Sequence, residues 1–175
     1  MKTLLKLAFI SLFAIGIAGC DKDNDNGMST VNTNMKSMPT SDYQAVKVEV
    51  TEIQIHNDAT GWEVIDVPDQ IYDLQLLQND ATVALGSVKM ETGNVTQVRM
   101  ILGDENSIIV NGVSYPLTLS SQDESGLKLN LNISQKLERD RIYTLVFEFD
   151  VKQSVVVAEN NTYKLRPVLR AWFTS

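Results

Sequence analysis

From Ala45 onward the chain alternates apolar and polar residues with a period of two. LKLNLNIS is the most regular stretch: Leu127, Leu129, Leu131 and Ile133 fall on one side, Lys128, Asn130 and Asn132 on the other. Successive side chains leave a pleated backbone on opposite faces, so this pattern predicts a strand with one buried and one wet face. RIYTLVFEFD assigns Tyr143, Leu145, Phe147 and Phe149 to one face and Thr144, Val146, Glu148 and Asp150 to the other. TYKLRPVLRAWF places Tyr163, Leu165, Leu169 and Phe173 inward and Lys164, Arg166 and Arg170 outward. Pro167 has no N–H to give a ladder, so this strand is expected to be an edge or to bulge there.

Two stretches slip phase. In AVKVEVTEIQIH the apolar set runs Val46, Val48, Val50 and then Ile53, Ile55. A regular strand would turn half of these to solvent, so a bulge or bend is expected at Thr51–Glu52. TVALGSVKM slips in the same way around Gly86. Asn111-Gly112 between apolar runs predicts a hairpin, because both turn residues must accept positive φ, and ENNT at 159–162 reads as a second tight connection. QIYDLQLLQN fits one or two helical turns, with Asp69 as an acceptable N-cap. Short strands at near-regular spacing predict an all-β fold, an antiparallel β-sandwich.

The amino-terminal stretch has another logic. Lys2 and Lys6 precede an apolar run from Leu7 to Ile17, and the small residues Ala18 and Gly19 lead to Cys20, the single cysteine. A basic start, a short apolar run and a small-residue cleavage site describe a secretory signal peptide, too short to span a membrane. IAGC resembles the lipobox of bacterial lipoproteins. The resemblance implies cleavage before Cys20 and acylation of that residue, and two or more acyl chains hold a protein stably on a bilayer. Lys22 with Asp23 and Asp25 resembles the signal that sends some lipoproteins of Gram-negative bacteria to the outer face of the outer membrane, with Asn24 interrupting the acidic pair. The expected organisation is a signal peptide over 1–19, a lipidated cysteine and polar spacer over 20–40, and one β-sandwich domain over 41–175.

Cleavage at Gly19 leaves 156 of the 175 residues and moves the formal charge from −7 to −9 by removing two lysines. An acidic chain repels nucleic-acid phosphate, so no nucleic-acid partner is expected. The acidic run after Cys20 fails the calcium-loop pattern, which wants glycine and glutamate where Asn26 and Asn32 stand. One histidine, His56, cannot build a His-rich zinc site, and no nucleophile motif accompanies it. Neither a metal nor another cofactor is expected. Glu148 with Asp150 and Asp123 with Glu124 are paired carboxylates, but a glycosidase needs two carboxyls facing each other across a cleft. Arg166 and Arg170 offer cross-strand ion pairs instead. Two sets remain as candidate binding surfaces: the aromatic residues Trp62, Tyr115 and Trp172, and the polar row Lys128, Asn130 and Asn132, whose amides and ammonium suit a hydroxyl-rich ligand.

YQAVKVEVTEIQIH, GW, YDLQLL, LG, TQVRMILG, VNGVSYPLTL, SGLKLNL, YTLVFEFD and YKLRPVLRA follow one another as in a family of bacterial lipoproteins and secreted proteins, domain-of-unknown-function family 4382. The resemblance spans about residues 42 to 172. It implies an immunoglobulin-like or transthyretin-like sandwich, similar to carbohydrate-binding-like modules, and carries no catalytic residues over. The expected protein is a non-enzymatic, lipid-anchored outer-membrane lipoprotein that binds a glycan or an envelope protein. The alternative is a structural subunit that pairs through an edge strand, with a hydrolase as the remote third reading.

Overall fold

Twelve strands and three short helical turns make up the residues that the computed structural model describes, 27–119 and 127–174. The strands are β1 (Met28–Met38), β2 (Ala45–Asn57), β3 (Gly61–Asp73), β4 (Val83–Glu91), β5 (Gly93–Leu102), β6 (Ser107–Val110), β7 (Val113–Leu119), β8 (Leu127–Leu137), β9 (Ile142–Asp150), β10 (Val155–Val157), β11 (Tyr163–Leu165) and β12 (Leu169–Thr174). A four-stranded sheet has the order β12-β9-β1-β4. An eight-stranded sheet has the order β10-β11-β7-β6-β2-β5-β8, with β3 on the other side of β2. The inner faces share one core, in which Val31, Met35, Leu145, Phe147 and Phe149 of the smaller sheet meet Val48, Ile53, Val98 and Ile108 of the larger. The protein is an all-β sandwich.

The phase slip in β2 is a bulge. Val46, Val48, Val50, Ile53 and Ile55 are all fully buried. The ladder steps from Val50–Leu102 to Glu52–Ile101 against β5, leaving Thr51 as the extra residue. Its hydroxyl donates to the Ile101 carbonyl at 3.2 Å. The slip in β4 is resolved likewise: pairing steps from Thr33–Gly86 to Asn34–Ala84, and Leu85 turns into the core. A Cβ on Gly86 would stand 2.6 Å from Ile65 Cγ2, so the close approach of β3 and β4 requires glycine there. Asn111 (φ 51°) and Gly112 (φ 79°) form the expected hairpin turn between β6 and β7. The helical turn after β3 covers Leu74–Leu76 and is capped by Asp73, not Asp69; Ile71 belongs to the strand.

Three expectations are corrected. The sandwich is mixed rather than antiparallel, because β1 runs parallel to β9 and β11 parallel to β7. Neither pair is joined by a hairpin, so nothing in the connection forces opposite directions. TYKLRPVLRAWF is not one strand. β11 lies in the larger sheet and β12 at an edge of the smaller, and Pro167 sits where the chain crosses between them. The spacer expected over 20–40 is the largest correction, since Met28–Met38 is a strand inside the smaller sheet. Its inward residues are Ser29, Val31, Thr33, Met35 and Ser37, all buried. The three hydroxyls donate to the carbonyls of Met90, Gly86 and Leu74 respectively, so their polarity is compatible with the core. The domain therefore begins at β1, not at residue 41. Cys20, Lys22, Asp23, Asp25, Asp123 and Glu124 lie outside the described residues.

A chain beginning at Ser41 lacks β1 and leaves β4 and β9 with unpaired inner edges and a void where Val31 and Met35 pack. It is expected to give no cooperative thermal transition, whereas a chain beginning at Gly27 melts cooperatively. Equal melting of the two chains would show that β1 is dispensable.

Candidate functional site

The outer face of the smaller sheet is built from alternate residues of its strands. One cross-strand row reads Trp172, Val146, Asn34 and Ala84; the next reads Thr174, Thr144, Asn32 and Ser87. Asn32, Asn34, Thr144 and Trp172 are half-buried and reach solvent. No described residue hydrogen-bonds the side-chain amide of Asn32 or Asn34. Each amide can donate twice and accept twice, so the middle of this face offers unused hydrogen-bonding groups beside an indole ring.

A charged row closes the face at one end, where Arg170, Glu148 and Lys36 stand in register on β12, β9 and β1. The Glu148 side chain is only 9% exposed. One of its oxygens lies 3.1 Å from Lys36 Nζ and the other accepts from Arg170. Lys36 also meets Asp80 at 3.4 Å and passes 5.4 Å from the Trp172 ring centroid. The hydrogen bond to Glu148 holds the Lys36 ammonium above the ordinary lysine value of 10.5, against a smaller opposing effect of desolvation. The expected ion pairing of Arg170 with Glu148 is thus present. Asp150 instead caps the helical turn Val151–Ser154 by accepting from the Gln153 N–H at 3.0 Å. Arg166 lies exposed in the segment that crosses from one sheet to the other, its backbone N–H donating to the Ser154 carbonyl.

The outer face of the larger sheet has a different character. Trp62 on β3 is 38% exposed. The Arg99 guanidinium sits 4.5 Å from its ring centroid, and His56 meets it edge-on at 5.1 Å. Arg99 donates to Gln54 Oε1 at 2.7 Å, and Gln54 donates in turn to Glu52. These polar groups are engaged with one another, apart from the buried Arg99 Nε, which has no hydrogen-bond partner among the described residues. Register places positions 128 and 130 of β8 beside Arg99 and Gln97. Asn132 falls in the irregular stretch between Asn130 and Gln135. The side chains of Lys128, Asn130 and Asn132 lie outside the described residues. Tyr115 belongs to neither face: it packs against the core, its ring centroid 5.2 Å from that of Tyr163. The three aromatic candidates are therefore dispersed. Trp172 joins Asn32, Asn34 and Lys36, residues that sequence reasoning assigned to the spacer. The alternation of polar and inward residues in STVNTNMKS was the signal for them.

Among the described residues no cluster of three or more histidine, cysteine or acidic side chains is placed to hold a metal ion. No helix there is long and apolar enough to cross a membrane. The sequence model of one family, described as a domain of unknown function (DUF4382), matches residues 28–167. The chain belongs to this family. The DUF4382 match begins at the first residue of β1, so the family's domain includes the strand that carries Asn32, Asn34 and Lys36. No curated protein and no solved structure matches the chain.

Because the Lys36 ammonium is stabilised in the fold, its contribution to stability is complete below the ordinary lysine value and fades as pH rises through the higher folded value. Lys36→Met is expected to lower the melting temperature by a constant amount through neutral pH, and that difference should shrink as pH climbs above 10.5. A variant as stable as the parent at neutral pH would show that Arg170 alone satisfies Glu148.

Proposed function

We propose that the protein is a non-catalytic, lipid-anchored module of the bacterial cell envelope that binds a glycan on the outer face of the smaller sheet. The observation that carries this reading is that Trp172 and Asn34 share one cross-strand row, on either side of Val146, and Thr144 and Asn32 pair in the next, on a face whose two amides have no described partner. A sugar ring presents apolar C–H groups on one side and hydroxyls around its rim. An indole takes the first by stacking, and a carboxamide takes vicinal hydroxyls by donating to one and accepting from another. Strands about 4.8 Å apart space these groups along an extended ligand. The larger sheet's face supports this less well, because Arg99, Gln54 and Glu52 are already bonded in sequence.

The non-catalytic part of the reading is supported by the state of Glu148, the most enclosed carboxylate among the described residues, which is held between Lys36 and Arg170; Asp150 lines the same cleft, but its carboxylate is occupied in capping the turn Val151–Ser154. Membrane attachment is supported by the lipobox-like IAGC at 17–20, and surface display by Lys22, Asp23 and Asp25. A second reading, a structural subunit, draws on β12 as a free edge of the smaller sheet, where a partner strand can add.

A glycan array probed with the chain from Gly27 tests the first reading. Trp172→Ala is expected to weaken retention about tenfold, corresponding to ~1.4 kcal/mol, Asn34→Ala by a smaller factor, and Trp62→Ala not at all. Retention that survives Trp172→Ala, or turnover of a bound glycan, sinks the proposal. Attachment has its own measurement: Cys20→Ser is expected to move the protein from the membrane to the soluble fraction and to abolish labelling by a fatty-acid analogue. Unchanged fractionation and labelling would remove the anchor.

A further inference from the structure

We infer that the end of the sandwich where β1 begins is a membrane-facing surface, and that a cleft beside Ile142 there takes the phosphate of a lipid headgroup. The inference rests on the lipid anchor proposed above. Eight residue steps separate Cys20 from Met28. Whatever conformation those residues adopt, they reach at most about 29 Å. An acylated Cys20 therefore keeps the start of β1 close to the bilayer.

The other elements at this end are identified by hydrogen bonds. The Gly27 carbonyl accepts from the Thr92 N–H at 3.0 Å, and the Met28 carbonyl from the Asp140 N–H at 3.0 Å. Asp58 accepts from the Asn94 N–H at 2.6 Å and from its side-chain amide at 2.8 Å. The β2–β3, β4–β5 and β8–β9 turns thus form one bonded platform around the first residues of β1. Ile142, at the end of the β8–β9 turn, is 73% exposed, the most exposed large apolar side chain among the described residues. Leu76, at 71%, stands at the opposite end, in the helical turn whose Leu74 carbonyl meets Ser37 near the close of β1.

Next to Ile142 lies a cleft of about 280 Å³ lined by Met28, Thr30, Lys89, Asp140 and Arg141. Its one carboxylate, Asp140, has Arg139 Nε at 3.5 Å. No described residue bonds the exposed Arg141 guanidinium. A planar guanidinium presents five donors in a fork that matches a phosphate. A phosphate in the cleft places Ile142 at the level of the headgroups, where an apolar side chain gains by burial. The contact can be weak. A short tether holds the two surfaces at a local concentration of order mM, so a site with affinity of that order is occupied.

The full-length acylated protein in phosphatidylethanolamine/phosphatidylglycerol vesicles tests this. Glu138→Cys puts a fluorophore in the β8–β9 turn, and Leu76→Cys puts one at the far end; native Cys20 is blocked by its acyl chain. Headgroup-linked quenchers are expected to quench the label at 138 and leave the label at 76 bright. Adding Arg141→Glu to the Glu138→Cys protein is expected to restore its fluorescence while the protein still floats with the vesicles. Equal quenching at both positions, or stronger quenching at 76, overturns the orientation. Quenching at 138 that persists with Arg141→Glu overturns the headgroup site. Failure of the parent protein to float overturns the anchor and this placement with it, so the two failures are told apart by flotation.

Discussion

The fold depends on β1 lying between β4 and β9. A central strand must satisfy two hydrogen-bonded edges and, on its inward side, a core. β1 does this with a sequence that is mostly polar. Val31 and Met35 supply the apolar contacts, and Ser29, Thr33 and Ser37 turn inward only because a carbonyl waits for each hydroxyl. One of those carbonyls, at Gly86, belongs to the bulge in β4. The bulge and the hydroxyl are two halves of one accommodation: the extra residue, Leu85, turns into the core, and Thr33 satisfies the carbonyl beside it. An unpaired buried polar group costs about 1–3 kcal/mol, so each of these pairings weighs against a domain stability of roughly 5–15 kcal/mol.

The same strand joins stability to the candidate site. Its inward residues hold the sandwich together, while Asn32, Asn34 and Lys36 stand in the middle of the outer face beside Trp172. A ligand on that face rests on an inner strand of the smaller sheet, not on a loop, so the amides are held by two ladders. Glu148 adds rigidity at one end. A nearly buried carboxylate without partners would be costly, and Lys36 and Arg170 on the two neighbouring strands remove that penalty.

The two outer faces show how similar composition leads to different chemistry. Both carry a tryptophan, a long cation and side-chain amides. On the larger sheet the cation stacks on the ring and is bonded to the amide, which is bonded to a carboxylate. On the smaller sheet the cation also lies over the ring but pairs with Glu148, and the amides of Asn32 and Asn34 are left without a described partner. What differs is register, which decides who stands beside whom.

Sequence alone determined what local pattern encodes. Strands appeared wherever apolar residues alternate, because period two is the geometry of a pleated backbone, and the slips at Thr51 and Gly86 marked bulges because burial of Val50 together with Ile53, or of Leu85 together with Met90, permits nothing regular. Asn111-Gly112 declared its turn through the conformations those residues tolerate. The family resemblance and the lipobox-like stretch were legible for the same reason, being runs of adjacent residues. Tertiary structure decided the rest. Ser29 to Ser37 alternate as regularly as any strand, but three of their five inward residues carry hydroxyls, and only carbonyls some 37 to 61 residues away make those hydroxyls compatible with burial. The parallel pairing of β1 with β9, the crossing at Pro167 and the alignment of Asn34 and Trp172 in one row across Val146 likewise depend on segments distant in the chain. A one-dimensional pattern carries the period of a strand, while its neighbours, and so its chemistry, are set by which edges remain open when the sandwich closes.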